Sequence, residues 1–250
     1  MKKKFNDHFS KVAAQYADFR PYYPAALFDW LGAQCMTHEC VWDCGAGSGQ
    51  ASIPLADYFS SVHATDASAS QIAQAHVHPR IHYRVASAED SGLASHSVDL
   101  ITVAQALHWF DLDRFYAEAQ RVLKPSSLIA AWSYGMIRVE GDEIDAAIQH
   151  FYRHTIGAYW PPERRHVENG YRDLDFPFQL IDPPRLSMRV HWTLDQLLGY
   201  LRSWSASARY LSAKGKDPTI NFAIELLPAW GGSEHRRQIE WPLSIRAGRT

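Results

Sequence analysis

Val41-Trp42-Asp43-Cys44-Gly45-Ala46-Gly47-Ser48-Gly49 decides the fold. An apolar pair leads into an acid and then into glycines at alternate positions, after which Gln50 to Tyr58 is compatible with a helix. The order is strand, glycine turn, helix. Glycine reaches backbone conformations closed to other residues and lets a ligand approach the main chain without meeting a Cβ. The first N–H groups of the following helix favour an anion. A dinucleotide turn, G-x-G-x-x-G, would need glycine where Gln50 stands, and no Gly-Lys-Ser or Gly-Lys-Thr supplies a phosphate loop.

Outward from this turn the same rhythm repeats. Ser61 to Asp66 is a short strand ending in an acid, and Ser68 with Gln71 can cap a helix. Ile81 to Ala86, Val98 to Val103 and Leu128 to Trp132 are further strands, with a helix over Leu112 to Leu123. Leu186, Met188, Val190 and Trp192 alternate with polar residues, as do Ile239, Trp241, Leu243 and Ile245, the pattern of an antiparallel edge. The pattern predicts an α/β fold: a doubly wound, mostly parallel seven-stranded sheet, Rossmann-like, with that edge and a helical insertion.

Upstream, Phe9, Val12, Ala13, Tyr16 and Ala17 recur at helical spacing between His8 and Phe19. Arg20-Pro21-Tyr22-Tyr23-Pro24 interrupts them before a helix at Ala25 to Ala33. Downstream, Gly141 to Gly157 reads as helix, and Pro161-Pro162 and Pro183-Pro184 bracket an aromatic, polar stretch. Thr193 with Gln196 opens a helix to about Ser203, and another spans Pro218 to Leu227. We divide a single domain, 1–250, into a helical cover (1–35), a ligand-binding core (36–133), an insertion (134–184) and edge strands with intervening helices (185–250).

The 250 residues are 46% hydrophobic and 13% aromatic, enough for a substantial core. Twenty-five Lys and Arg against 27 Asp and Glu give a net charge of −2, so no basic field points to nucleic acid or an anionic membrane. No apolar run approaches the ~20 residues that span a bilayer, and Met1-Lys2-Lys3-Lys4 is followed by Phe5-Asn6-Asp7-His8 rather than by an apolar stretch, which suggests a cytoplasmic protein. Cys35, Cys40 and Cys44 lack paired spacing, and the 13 histidines lack metal-ligand spacing, so neither a disulfide framework nor a metal is expected. Cys44 reads as a small turn residue, and nothing in the pattern specifies an oligomeric state.

In an open parallel sheet, ligands lie beyond the carboxyl ends of the strands. Asp66, ending the second strand, suits a pair of ribose hydroxyls. Together with Asp43, the glycine spacing, Ser87-Ala88-Glu89-Asp90 and Gln105, it fits an adenosyl ligand without pyrophosphate, namely S-adenosylmethionine. The sequence here resembles the class I S-adenosylmethionine-dependent methyltransferases, in particular the type 11 group of trans-aconitate methyltransferases and their fungal relatives. The resemblance rests on the glycine turn, Thr65-Asp66-Ala67-Ser68, Ala86-Ser87-Ala88-Glu89-Asp90, Arg20-Pro21-x-Tyr23-Pro24, Ala104-Gln105-Ala106-Leu107-His108-Trp109-Phe110, Tyr159-Trp160-Pro161-Pro162-Glu163, Ser203-Trp204-Ser205-Ala206 and Trp241-Pro242-Leu243. It implies that Gly45 and Gly47 pack on the methionyl part, Asp66 holds the ribose, and Ser87 with Ala88 faces adenine, with Ala46 and Ala67 as further cofactor-binding candidates. Ser87 stands where many relatives carry Asp or Asn, so Ser87, Glu89 or water could accept from the adenine amino group. Tyr16 and Arg20 would fold over the cofactor, Arg20 pairing a carboxylate of methionine or of the acceptor.

Beyond the fourth strand, His108 and Trp109 could orient an acceptor, with His108 the candidate general base, or could simply wall the pocket. Trp160 could close over an acceptor or serve as packing, and Arg164 and Arg165 read as a solvated face. A carboxylate acceptor needs no base, whereas a hydroxyl or amine does. The leading expectation is methylation of a small molecule, a carboxylate oxygen of a polycarboxylic acid. Methylation of RNA or protein, and S-adenosylmethionine binding without catalysis, are the alternatives.

Overall fold

Strand alternation places apolar residues on both faces of the sheet, and each face is covered. The computed structural model describes residues 21–250. The expected helix at His8–Phe19, with Tyr16 and Arg20, lies outside them. Five parallel strands form one flank: β1 (Cys40–Cys44), β2 (Ser61–Asp66), β3 (Ile81–Val85), β4 (Val98–Ala104) and β5 (Leu123–Tyr134), in the spatial order β3-β2-β1-β4-β5. Helices α1 (Ala25–Gln34) and α2 (Ser52–Leu55) share one core with Val41, Leu100, Leu128 and Ala130, through Leu27, Leu31 and Leu55. On the other face α4 (Leu112–Val122) packs Phe115, Ala119 and Val122 against Trp42, Ile101, Val103 and Ile129. The short α3 (Ala69–Ile72) follows β2, with Ser68 accepting from the Gln71 N–H as expected of its cap.

The antiparallel part is larger than the alternation suggests. After the two-residue β6 (Arg138–Val139) and the three-residue β7 (Gln179–Ile181) come β8 (Ser187–Trp192) and β9 (Arg237–Arg249). The second half of β9 lies between β5 and β7, completing a seven-stranded layer, while its first half pairs with β8 and β6. The expected β8–β9 pair is present, Val190 opposite Ile239, but β9 is an interior strand rather than an edge.

The helix expected at Gly141–Gly157 is α5 (Asp142–His150), followed by a wide π turn at Phe151–Thr155 and a tight turn at Gly157–Tyr159. Phe151 and Tyr152 are both buried at the start of the wide turn. Beyond α6 (Arg164–Glu168), the Thr193–Gln196 capping box opens α7 (Leu194–Arg202). An unexpected α8 (Ser205–Lys214) precedes α9 (Thr219–Trp230). Arg237 closes α9 by donating to the carbonyls of Ala229 and Trp230, acceptors left over at any helix end.

Asp43 shows how the strand-end chemistry is divided. Its side chain is fully buried; Oδ2 accepts from Ser52 Oγ at 2.6 Å and Oδ1 from Thr102 Oγ1 at 2.9 Å. Burial pushes its carboxyl up to about 6, against the opposing hydrogen bonds from Ser52 and Thr102. The expected cofactor contact of Asp43 is therefore corrected: it bolts β1 to β4 and α2 beneath the glycine turn.

Asp43→Ala should destabilise the fold by about 2–4 kcal/mol, since two buried hydroxyls lose their acceptor. A raised folded pKa means that this carboxyl favours the folded state most below about pH 4 and loses that contribution as pH rises through about 6. Asp43→Asn should remove that part of the pH dependence. Thermal unfolding of both variants at pH 5 and 7.5 checks this.

Candidate active site

Parallel strands align their carboxyl ends, and the chain reverses direction in the sheet between β1 and β4, so the turns after β1, β2 and β4 meet at one rim. Gly45 and Gly47 have φ of +71° and +57°, the left-handed region that glycine occupies without strain. The Gly45 and Ala46 N–H groups donate to Thr65 O at 2.8 and 3.0 Å. Asp66 then completes the lock: Oδ2 accepts from the Gly47 N–H and Oδ1 from the Ser68 N–H, each at 2.8 Å. A Cβ on Gly45 would lie 2.6 Å from Ala106 Cβ, whereas one on Gly47 would meet only Gln71 Oε1, at 3.6 Å.

Above this rim opens a cleft of about 1240 Å³. Single-ligand pockets commonly enclose roughly 300–1,000 Å³, so it has room for a cofactor and a small acceptor together. Gly45, Ala46, Gly47, Asp66, Ala67, Ser87, Ala88, Glu89, Gln105, His108, Trp109 and Trp160 all line it. Asp43 does not, and Tyr16 and Arg20 lie outside the described residues. Two of the lining side chains are already engaged. Gln105, at φ +56°, donates Nε2–H to Tyr134 O at 3.0 Å and accepts from Tyr134 N–H at 3.1 Å, so it presents mainly backbone to the cleft. Glu89 Oε1 accepts from the Asp111 N–H at the start of α4.

The other half of the cleft is aromatic. Trp160 stacks obliquely on Tyr152 with centroids 4.9 Å apart and lies 5.6 Å from Trp204, which meets Tyr200 edge-on at 5.6 Å. Tyr23, from the Arg20-Pro21-x-Tyr23 stretch, also lines the cleft and contacts Trp132 edge-on at 5.5 Å. Trp160 Nε1 is buried without a hydrogen-bond partner among the described residues.

His108 corrects the expected general base. Burial, reinforced by the charges of Arg164 and His166, pulls its pKa down to about 3, so the ring is neutral at physiological pH and a feeble proton acceptor. Its Nδ1 lies 2.9 Å from the hydroxyl of the fully buried Tyr171. A hydroxyl donating to Nδ1 fixes the ring proton on Nε2.

Arg164 is a second correction. Arg165 is exposed, as expected of a solvated face, but Arg164 lines the cleft. Its Nε donates to Tyr152 Oη at 2.8 Å, and its guanidinium carbon lies 4.7 Å from the Trp160 ring centre. Trp160 and Arg164 stand four residues apart, a spacing that was available in the sequence.

The sequence pattern of the family described as a methyltransferase domain matches residues 42–131. A Dictyostelium discoideum protein named as a methyltransferase is 37% identical over 91% of this chain and 88% of its own length. A solved structure from Anaeromyxobacter dehalogenans, described as a type II methyltransferase, superposes with a TM-score of 0.88 at 49% identity, covering 92% of this chain and 98% of that one. A Saccharomyces cerevisiae protein named as an S-adenosylmethionine-dependent methyltransferase is 23% identical over 83% of this chain and 84% of its own.

Gly45→Ala and Gly47→Ala should separate fold from ligand. Both force alanine into the left-handed region, at roughly 1–2 kcal/mol, but only Gly45→Ala adds the clash with Ala106. Gly45→Ala should therefore lose more in thermal stability. Gly47→Ala should keep more of the fold and bind S-adenosylhomocysteine at least tenfold more weakly by calorimetry.

Proposed function

The chain belongs to the class I S-adenosylmethionine-dependent methyltransferases, and from that premise we propose that it methylates a small-molecule acid, with a carboxylate oxygen as acceptor. The observation that carries this is the single cleft, in which a glycine-turn half opens directly onto an aromatic half holding the cation Arg164. The walls of its aromatic half come from the insertion, from α7 and from the start of α8, and the concave site they help to form suits a metabolite better than a macromolecular surface. The balanced charge points the same way.

The donor set fits the cofactor. Gly47 presents its backbone to the cleft with only Gln71 Oε1 nearby, and the Asp66 carboxylate lines the cleft beside it. In this reading Gly45, Ala46 and Gly47 cradle the methionyl part, Asp66 receives the ribose hydroxyls, and Ser87, Ala88 and Glu89 border adenine. When bound, S-adenosylmethionine supplies an electrophilic methyl: the C–S bond breaks towards sulfur as the acceptor oxygen forms its bond, giving a methyl ester and S-adenosylhomocysteine. The protein's share is to align the acceptor and exclude water. Trp160, Tyr200 and Trp204 do the excluding, and neutral His108 offers a hydrogen bond from Nε2. An ionised carboxylate brings its own lone pair, so the absence of a competent base at His108 is no obstacle.

The resemblance to trans-aconitate methyltransferases supports a polycarboxylic acid in particular. A cytoplasmic setting belongs to the same proposal; no helix among the described residues is long and apolar enough to cross a membrane. Among the same residues no cluster of His, Cys, Asp or Glu could hold a metal, and none is invoked.

The test is transfer of label from methyl-labelled S-adenosylmethionine to a panel of di- and tricarboxylic acids, run beside tRNA and whole-protein fractions. Base-labile label in a small acid is expected; label confined to tRNA or protein would overturn the proposal. Turnover of the acid should also stay flat from pH 6.5 to 9, because His108 does not titrate there. A rise through pH 7 that vanishes in His108→Gln would restore the histidine as base.

A further inference from the structure

Arg164 is built into the cleft without a direct ion pair among the described residues. Its Nε is held by Tyr152 Oη, and that hydroxyl in turn donates to Glu168 Oε1 at 2.5 Å, so the neighbouring acid is satisfied through tyrosine. The guanidinium lies over the Trp160 ring at 4.7 Å and within 5.7 Å of the Tyr152 ring, which fixes its plane. No carboxylate among the described residues comes within 4 Å of it, although Glu163 lines the same cleft. The two Nη groups accordingly have no hydrogen-bond partner there. The other arginine on this cleft, Arg114, stands exposed on α4 and is not enclosed by aromatic rings.

A cation removed from bulk water costs free energy unless an anion or a set of acceptors meets it. Cation–π contacts with Trp160 and Tyr152 offset part of that cost without neutralising the charge. A planar fork whose stem is clamped and whose Nη donors are unspent is the arrangement that takes a carboxylate bidentately.

Resting on the methyltransferase reading above, we propose that Arg164 is the anchoring subsite of the acceptor: it binds a carboxylate other than the one methylated, with the carbon skeleton resting against the wall that Trp160 and Trp204 form together. The chemistry separates the two carboxylates. Oxygens engaged by a guanidinium give their lone pairs to N–H donors and are poor nucleophiles, whereas methyl transfer needs an oxygen with a free lone pair. The substrate class is therefore an acid with at least two carboxylates, and the product is its monoester, with one carboxylate still charged.

The experiment uses full-length protein saturated with S-adenosylhomocysteine, titrated calorimetrically with succinate, glutarate and propane-1,2,3-tricarboxylate and with the corresponding neutral amides. Wild type should bind at least one acid and none of the amides. Arg164→Gln should weaken that acid at least tenfold, and Arg164→Lys severalfold, since lysine keeps the charge and loses the fork. The dissociation constant for S-adenosylhomocysteine should stay within twofold in both variants, which also shows that they fold. Undiminished acid binding by Arg164→Gln with cofactor affinity intact would overturn the subsite, as would equal binding of acid and amide by wild type. Failure of wild type to bind S-adenosylhomocysteine at all would instead overturn the cofactor reading beneath it.

Discussion

The Asp66 carboxylate receiving the Gly47 and Ser68 N–H groups is the contact on which the site depends. It joins the turn after β1 to the turn after β2 and spends a charge, rather than a neutral acceptor, to do so. Such bonds are shorter and about twice as strong as neutral ones. The left-handed glycines would otherwise be free to sample other turns, because their lack of a Cβ makes many conformations cheap. Held this way, the backbone between Gly45 and Gly47 presents itself to the cleft. The fully buried Asp43, bound to Ser52 and Thr102, braces the same turn from beneath.

The aromatic half is organised on the opposite logic. Among the described residues Trp160 Nε1 has no hydrogen-bond partner and Arg164 makes no direct ion pair, while burial and the charge of Arg164 hold His108 neutral. Each is a local cost that the surrounding packing sustains, and such costs gather at functional sites. Tyr152 is the hinge of this arrangement. The wide turn at Phe151–Thr155 delivers it to the interior beside Phe151, where it bonds Glu168 on one side and Arg164 on the other.

The parallel core was legible in the sequence because the strand, glycine turn and helix order has few other solutions; β1 to β4 stand where strands were expected, while β5 already begins at Leu123 rather than at the expected Leu128. The three-residue β7 was not, since three residues between prolines and loops carry no period. Nor was α8, whose buried residues are only Ala206 and Ser207, too small to mark an apolar stripe. Asp43 and Arg164 were misjudged for one reason. Both are charged residues beside informative motifs, and sequence gives residue type without enclosure: it cannot say that Ser52 and Thr102 surround the acid, or that Tyr152 and Trp160 surround the base. His108 belongs with them, its neutrality arising from burial that only the packing of Tyr171 reveals.

One carboxylate, Asp66, locks the glycine turn, and in the proposed cofactor pose the same carboxylate meets the ribose. Calorimetric dissociation constants for S-adenosylhomocysteine and its 2′,3′-dideoxy analogue, against wild type and Asp66→Ala, test it most directly. The account predicts that removing the hydroxyls weakens binding to wild type by tenfold or more and changes binding to Asp66→Ala by less than twofold. An equal penalty in both proteins would place the ribose elsewhere and contradict it.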